Sequence, residues 1–329
     1  MKALITGGTG FIGSRLAMKC LERGDRVVVL GQANNPAEEK RAAFVEEQGA
    51  ELVLASVGDR DRLFEVCKGI DYVFHLAAAQ HEANVPDQRF WDVNVEGTKN
   101  LLDASTAAGV KRFVHGSTIG VYGSAVDGEL NEDSPLNPDN IYGITKLEAE
   151  KMVVSRRETL DVVVIRISET YGPGDYRLLK LFKAIKKRAF FMIGKGNNLH
   201  HLIYVDDLIQ GMFRAATEET AIGNVFVLAG MKPLTTNEMV RIIGQQLGAK
   251  LRAFRAPLLP FLLLATVMEL TLRPIGIQPP LHRRRMDFFK KSFFFAQNRS
   301  QQLLGFQPQM SFEKGVSETM AWYAEMGYL

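Results

Sequence analysis

Cysteine is scarce: the 329 residues hold only Cys20 and Cys67, whose spacing builds neither a metal site nor a disulfide frame. Both fall in helical patterns and read as buried, reduced thiols, as in a cytoplasmic protein. Long hydrophobic runs are missing too. The longest, residues 257–268, is 12 residues with prolines at 257 and 260, too short to span a bilayer. Met1-Lys2 leads directly into an apolar strand-like stretch, so no secretory leader is expected. The net charge of +3 gives no ground for nucleic-acid binding. His75, His81 and His115 lack ligand spacing, read as structural, and no metal is expected. No repeat or low-complexity linker divides the chain, which is long enough for one large domain or two smaller ones.

Glycine is abundant where it counts. In KALITGGTGFIGSRLAMKCLERGDRVVVLG, residues 2–31, an apolar run at 3–5 is followed by Gly7, Gly10 and Gly13. Phe11, Ile12, Leu16, Ala17, Cys20 and Leu21 then recur on one helical face, and Gly24 closes the helix before a second apolar run at 27–30. A helix starting after a glycine turn aims its unpaired N–H groups and positive dipole end at one spot, and glycine lets a diphosphate approach the backbone. Strand, motif, helix and strand in this order predict a dinucleotide site.

The alternation continues. A polar helix lies near 34–48, strands at 52–55 and 71–76, helices at 61–67 and 90–108, a strand at 112–115, a long helix containing 148–157 and a strand at 161–167. This predicts an α/β fold, a Rossmann-type doubly wound parallel sheet over 1–170, with later elements near 205–250 returning to it. Residues 171–329 read as a smaller α/β substrate part. There a basic helix is expected at 178–188, a strand at 224–229 and a capped helix at 236–247, with Asp206-Asp207 capping a helix at 208–216. From 252 the alternation is lost. Residues 252–299 carry nine Lys/Arg against two Asp/Glu and are dense in Leu and Phe, an apolar, basic lid.

Tyr142 and Lys146, four apart on a helix, share one face. A free phenol titrates near 10, and a neighbouring ammonium favours its phenolate. The pair suits proton exchange with an alcohol while a cofactor moves a hydride. Ser117-Thr118, directly after the fifth strand, places hydroxyls at the sheet edge where they can meet the same oxygen.

These stretches resemble the extended short-chain dehydrogenase/reductases: TGGTGFIG at 6–13, HLAA at 75–78, NVEGT at 94–98, STIGVYG at 117–123, YGITK at 142–146 and YGPGD at 171–175. The resemblance implies bound NAD or NADP, with Thr118, Tyr142 and Lys146 as the catalytic set. It assigns Gly7, Gly10, Phe11, Ile12, Gly13, Gly31, Ser56, Val57, Leu76, Ala77, Ala78, Asn94 and Ser117 to the cofactor, beside Tyr142 and Lys146. Ala79, Thr118, Tyr171 and His200 are assigned to the substrate. It also implies a homodimer through the helices at 97–108 and 142–157.

Departures from the pattern shape the functional reading. Gly31 stands where NAD-preferring members end the second strand in an acid, and Lys40 or Arg41 follows, which favours NADP. Ser56 replaces a frequent Asp. His200 occupies the position from which an arginine grips the substrate diphosphate in many nucleotide-sugar epimerases, and imidazole is a poor substitute for a guanidinium. Residues 256–295 resemble those of 3β-hydroxysteroid dehydrogenase-like and dihydroflavonol reductase-like members. The expected activity is therefore reversible oxidation of a hydrophobic secondary alcohol, sterol-like or long-chain, with peripheral membrane contact through 256–295. A nucleotide-sugar epimerase or dehydratase is the first alternative, in which Arg283–Arg285 (283–285) would hold the diphosphate. A non-catalytic cofactor sensor is the second.

Overall fold

The computed structural model describes residues 1–80, 85–123, 128–272, 277 and 283–329. The first half alternates strictly: β1 Lys2–Thr6, α1 Phe11–Glu22, β2 Arg26–Gly31, α2 Pro36–Glu47, β3 Glu51–Leu54, α3 Arg60–Val66 and β4 Tyr72–His75. Next come α4 Asp87–Trp91, a π-helical turn Asp92–Glu96, α5 Gly97–Ala107, β5 Arg112–Thr118, a 3-10 turn Ile119–Tyr122, α6 Ile141–Ser155 and β6 Val162–Ile167. The second half is built from short strands, β7 Thr170–Tyr171, β8 Met192–Ile193, β9 Leu199–His200 and β10 Ile203–Tyr204, with α7 Leu179–Lys186 and α8 Val205–Thr217 among them. It ends with β11 Val225–Leu228, β12 Leu234–Thr235, α9 Thr236–Gln246, β13 Arg255–Ala256, α10 Leu258–Leu272, α11 Arg283–Lys290, α12 Asn298–Leu304 and α13 Phe312–Glu325.

Seven parallel strands form one sheet in the order β11-β6-β5-β4-β1-β2-β3. Strands covered on both faces run nearly continuously apolar. Ala3 and Ile5 face a cluster with Leu16, Cys20, Leu208 and Met212, whereas Leu4 faces Leu63, Leu101, Leu102 and Val153 on the other side. The strand order reverses between β1 and β4, which opens a crevice at their C-terminal ends, the ligand position of such sheets. A separate core (Tyr171, Phe182, Tyr204, Ile243, Phe312, Tyr323) closes the second half. The two halves share a further cluster in which Val227 and Ala229, at the end of β11, pack with Leu130, Phe293 and Phe295. The strip bearing those phenylalanines is bonded on both sides: Leu130 N donates to Phe294 O, and Phe293 N to Leu199 O.

Three sequence expectations change. The helix at 90–108 is broken by the π-helical turn. Asp206 and Asp207 do not cap α8: Tyr204 holds the cap position, Arg15 makes a two-pronged ion pair with Asp206 at 2.7 and 2.8 Å, and Asp207 accepts from Gln309 N and Met310 N. The carboxylates serve tertiary partners rather than the helix start. The irregular stretch after 252 contains a 15-residue helix, α10, whose Pro260 falls in the first turn, where no backbone N–H is required.

Candidate active site

The first turn is built so that backbone passes close to backbone. Gly7 has φ +68°, and a Cβ there would lie 2.7 Å from Ala77 N; one on Gly13 would lie 2.3 Å from Gly7 O. Gly10 precedes α1 without a side-chain cap, so the helix N–H groups face outward into the crevice. That crevice is a cavity of about 610 Å³ running from Gly7 and Gly10 past Gly31, Ser56 and Val57 and back along Leu76, Ala77, Ala78 and Ala79. Glycine cradle, helix N-terminus and a cavity of this size and lining fit a dinucleotide.

Gly31 is small for a local reason. A Cβ there would sit 2.5 Å from the Thr9 hydroxyl, which donates to Gln32 O, so Thr9 occupies the space an acidic side chain at the strand end would need. Four residues that motif reading missed line this end of the cavity: Gln32, Asn34, Asn35 and Glu38. Asn35 caps α2 by accepting from Ala37 N and Glu38 N, and Glu38 Oε2 accepts from Asn34 N at 2.9 Å. The N-P-x-E run at 35–38 is a helix-start signature that marks this turn in the sequence. Arg41 is turned away: it donates to Gly174 O, and its guanidinium lies 5.2 Å from the centre of the Tyr176 ring.

Thr118, Tyr142 and Lys146 are carried by β5 and α6, which pack on one another. Thr118 ends β5, and its Oγ1 accepts from Gly120 N at 3.0 Å, starting the 3-10 turn. Asn140 caps α6 through Gly143 N, so Tyr142 sits in the first helical turn, half-buried, with Lys146 one turn further in and fully buried. The helix start packs tightly on the 3-10 turn, a Cβ on Gly143 coming within 2.8 Å of Gly120 O. Burial pulls the Lys146 ammonium down to about 7, against the opposing pull of Glu150. Its Nζ is 3.3 Å from His115 Nε2. A charged Lys146 makes that nitrogen an acceptor and puts the ring proton on Nδ1, which has no partner among the described residues. Burial, with Lys146 and His75 nearby, holds His115 neutral.

Asn94 acts as a bracket. Carried by the π-helical turn, its amide accepts from Ala79 N (2.8 Å), donates to Ala79 O (3.2 Å) and reaches Thr145 Oγ1 (3.0 Å) on α6. It thus ties the cavity wall to α6. The π turn is what aims it inward, a common use of such turns. His75 is bonded on both nitrogens, to Thr6 and Thr98 hydroxyls, the structural role expected of it.

Other assigned residues lie elsewhere. Ser117 is turned from the cavity: it donates to Glu150 Oε2 at 2.8 Å, within a buried pair that Glu150 makes with Arg166. Tyr171 is buried beneath α13, packed on Phe312 and on Gly315, where a Cβ would meet its hydroxyl at 2.3 Å. It is core, not substrate lining. Phe11 and Ile12 pack their side chains on the core, leaving the cavity only their backbone. His200 is enclosed, with Nδ1 2.9 Å from Glu169 Oε2 and Nε2 within 3.1 to 3.2 Å of Thr236 Oγ1, Phe288 O and Asn198 Nδ2. Burial opposes its charge, but Glu169 outweighs this and raises its pKa. His81 and the side chains at 283–285 lie outside the described residues.

Fold and site together define an extended short-chain dehydrogenase/reductase, a dinucleotide-dependent enzyme. The chain belongs to the NAD dependent epimerase/dehydratase family, whose model matches residues 3–229. It is 31% identical over 339 residues to the dTDP-glucose 4,6-dehydratase of Streptomyces griseus, spanning 97% of this chain and 93% of that one. It is 26% identical over 351 residues to 3beta-hydroxysteroid-dehydrogenase/decarboxylase isoform 2 of Arabidopsis thaliana, spanning 98% of this chain and 62% of that protein. UDP-glucuronic acid 4-epimerase from Bacillus cereus, solved in complex with NAD, has the same fold, with a TM-score of 0.81, 22% identity and 99% of each chain covered.

Proposed function

We propose that this enzyme interconverts a hydrophobic secondary alcohol and its ketone. The carrying observation is the enclosure of His200. At the position from which an arginine holds a sugar-nucleotide diphosphate in many relatives, this chain has an imidazole already committed to Glu169, Thr236 and the Phe288 carbonyl. Likeness to a hydroxysteroid dehydrogenase supports the same substrate class. Likeness to a dTDP-glucose dehydratase supports the sugar alternative. Elimination of water, however, needs an acid and a base beyond the tyrosine, and the turn after Thr118 offers only Ile119, Gly120 and Val121. The nearby carboxylates are bonded inward, Glu132 to Val227 N and Glu150 to Arg166.

Bound in the cavity, the nicotinamide would supply the hydride acceptor or donor. Gly7, Gly10 and the start of α1 hold the diphosphate, and Asn94 fixes the wall at Ala79. Thr118 orients the substrate oxygen. Tyr142 exchanges its proton, and Lys146 keeps the phenol acidic. The preferred cofactor is NAD, reversing the expectation from Gly31. Glu38 brings a carboxylate to the cavity end where a 2′-phosphate would sit, and Arg41 is occupied by Gly174 O and Tyr176. A homodimer through the outer faces of α5 and α6 completes the reading.

The test is NADH and NADPH oxidation against a panel of apolar ketones, with UDP-glucose and dTDP-glucose in parallel. Ketone-dependent oxidation, and loss of roughly 10²-fold or more in kcat for Tyr142→Phe with NADH binding retained, is the expected result. Sugar conversion without ketone reduction would overturn the substrate class, and an unchanged Tyr142→Phe enzyme the mechanism. Glu38→Gln should narrow the ratio of NADH to NADPH affinity, measured by fluorescence titration.

A further inference from the structure

Helix α10, LLPFLLLATVMELTL, has an apolar face on either side. Its inner face is spent on the fold: Ala265 is fully buried, and Leu258, Phe261 and Leu262 pack with Ile193, Met286 and Phe289. Its outer face is a leucine stripe in solvent. Leu259, Leu263, Val267 and Leu270, spaced four, four and three apart, are 64%, 60%, 55% and 66% exposed, and Leu264 beside them is 50% exposed. Phe254, 63% exposed, extends the stripe at the N-terminal end, where its ring meets Phe191, which also packs on Phe261. A surface helix ordinarily turns polar residues outward, and an apolar patch this continuous marks an interaction surface.

The surroundings say what kind. No Asp or Glu occurs between Asp175 and Asp206, where Lys186, Lys187, Arg188 and Lys195 are exposed. None occurs between Glu238 and Glu269, where Lys250, Arg252 and Arg255 are exposed. The fold brings both stretches to the start of α10, since β8 pairs with β13 and Arg255 donates to Lys195 O. The start of the apolar stripe therefore has a rim rich in cations, with exposed Glu238 beside it and half-buried Glu269 at the far end of the helix.

We propose that this face docks on the surface of an anionic phospholipid bilayer, α10 lying in the plane with its leucine stripe among the acyl chains and the rim on the headgroups. A helix of 15 residues is about 22 Å long, shorter than the roughly 30 Å hydrocarbon core, so it lies in the interface rather than crossing it. A second copy of the chain is the competing occupant. Parallel two-fold pairing on this stripe would set one cationic rim against another, which disfavours it, and antiparallel pairing is told apart by light scattering. The proposal does not depend on which substrate the enzyme takes.

The experiment is cosedimentation of the full chain with phosphatidylcholine vesicles, with and without added phosphatidylglycerol. Binding to the anionic vesicles, weakened roughly tenfold or more on neutral vesicles or in high salt, is expected. Leu263→Glu/Val267→Glu should abolish it without changing the melting temperature or NADH binding. Lys187→Glu/Arg188→Glu should weaken it on anionic vesicles alone. Absence of binding by the unaltered chain overturns the proposal, as does undiminished binding by the leucine-stripe variant. Light scattering that shows a dimer split by Leu263→Glu/Val267→Glu would assign the face to a second copy instead.

Discussion

On the buried face of α6, Glu150 forms an ion pair with Arg166 of β6 at 2.6 Å, both side chains about 95% buried. Arg166 also donates to Tyr122 OH and Glu132 O, and Ser117 donates to the carboxylate, so every charged atom has partners. Removing one side leaves the other charge desolvated without its counter-ion. Glu150→Ala should therefore destabilise the protein by about 3–5 kcal/mol in urea unfolding, whereas Glu150→Leu/Arg166→Met should lose less than the single change. A double variant no more stable than Glu150→Ala would show that the remaining partners, Tyr122 and the Glu132 carbonyl, demand a charge.

For elements, spacing matters more than composition. Gly143 lets the first turn of α6 rest on the 3-10 turn, which sets where Tyr142 stands relative to the end of β5. Gly143→Ala should lower kcat by roughly 10–100-fold while NADH affinity and melting temperature change little, because the added methyl must displace Gly120 O or Pro138. Equal turnover by this variant would mean the helix start is free to shift. The sheet was legible because strands buried on both faces leave continuous apolar runs, and the cradle because Gly7, Gly10 and Gly13 each answer a steric need. The polar partners were not. Ser117 sits in a family motif, yet which way its hydroxyl points depends on Glu150, 33 residues on. Tyr171 lies in another, yet it is covered by Gly315 from the far end of the chain. Nor does the pattern after 252 announce a helix, because α10 is apolar on both faces and lacks the periodicity that marks a half-buried one.

Across the whole molecule, burial of neutral bases should shape the pH dependence of stability. His75 is held down to about 3 and His201 to about 4 by burial, with His115 also lowered. Unfolded histidines bind protons below about 6.5, so the unfolded state takes up more protons there and stability falls as pH drops from 6.5 toward 4. Lys146 adds a rise between pH 7 and about 10, where the unfolded lysine is charged and the folded one is losing its proton. His200 works the other way, its contribution present below about 6.5 and lost as pH rises through its raised pKa. Melting temperature measured without cofactor should climb from pH 5 to pH 9, and His201→Gln should flatten the acidic part. A flat profile would mean the buried histidines reach water before the protein unfolds.

The strip at 293–297 also limits how such enzymes can be recombined. Phe293 and Phe295 complete the packing around Val227 and Ala229, and Gln297 bonds Ala229 N and Gly230 O. The first 229 residues therefore end on a surface that only a later part of the chain can cover. A chimaera joined at that point must inherit a matching strip with its new substrate half. A crossover that brought in a mismatched strip would leave the apolar end of β11 uncovered, a surface prone to association.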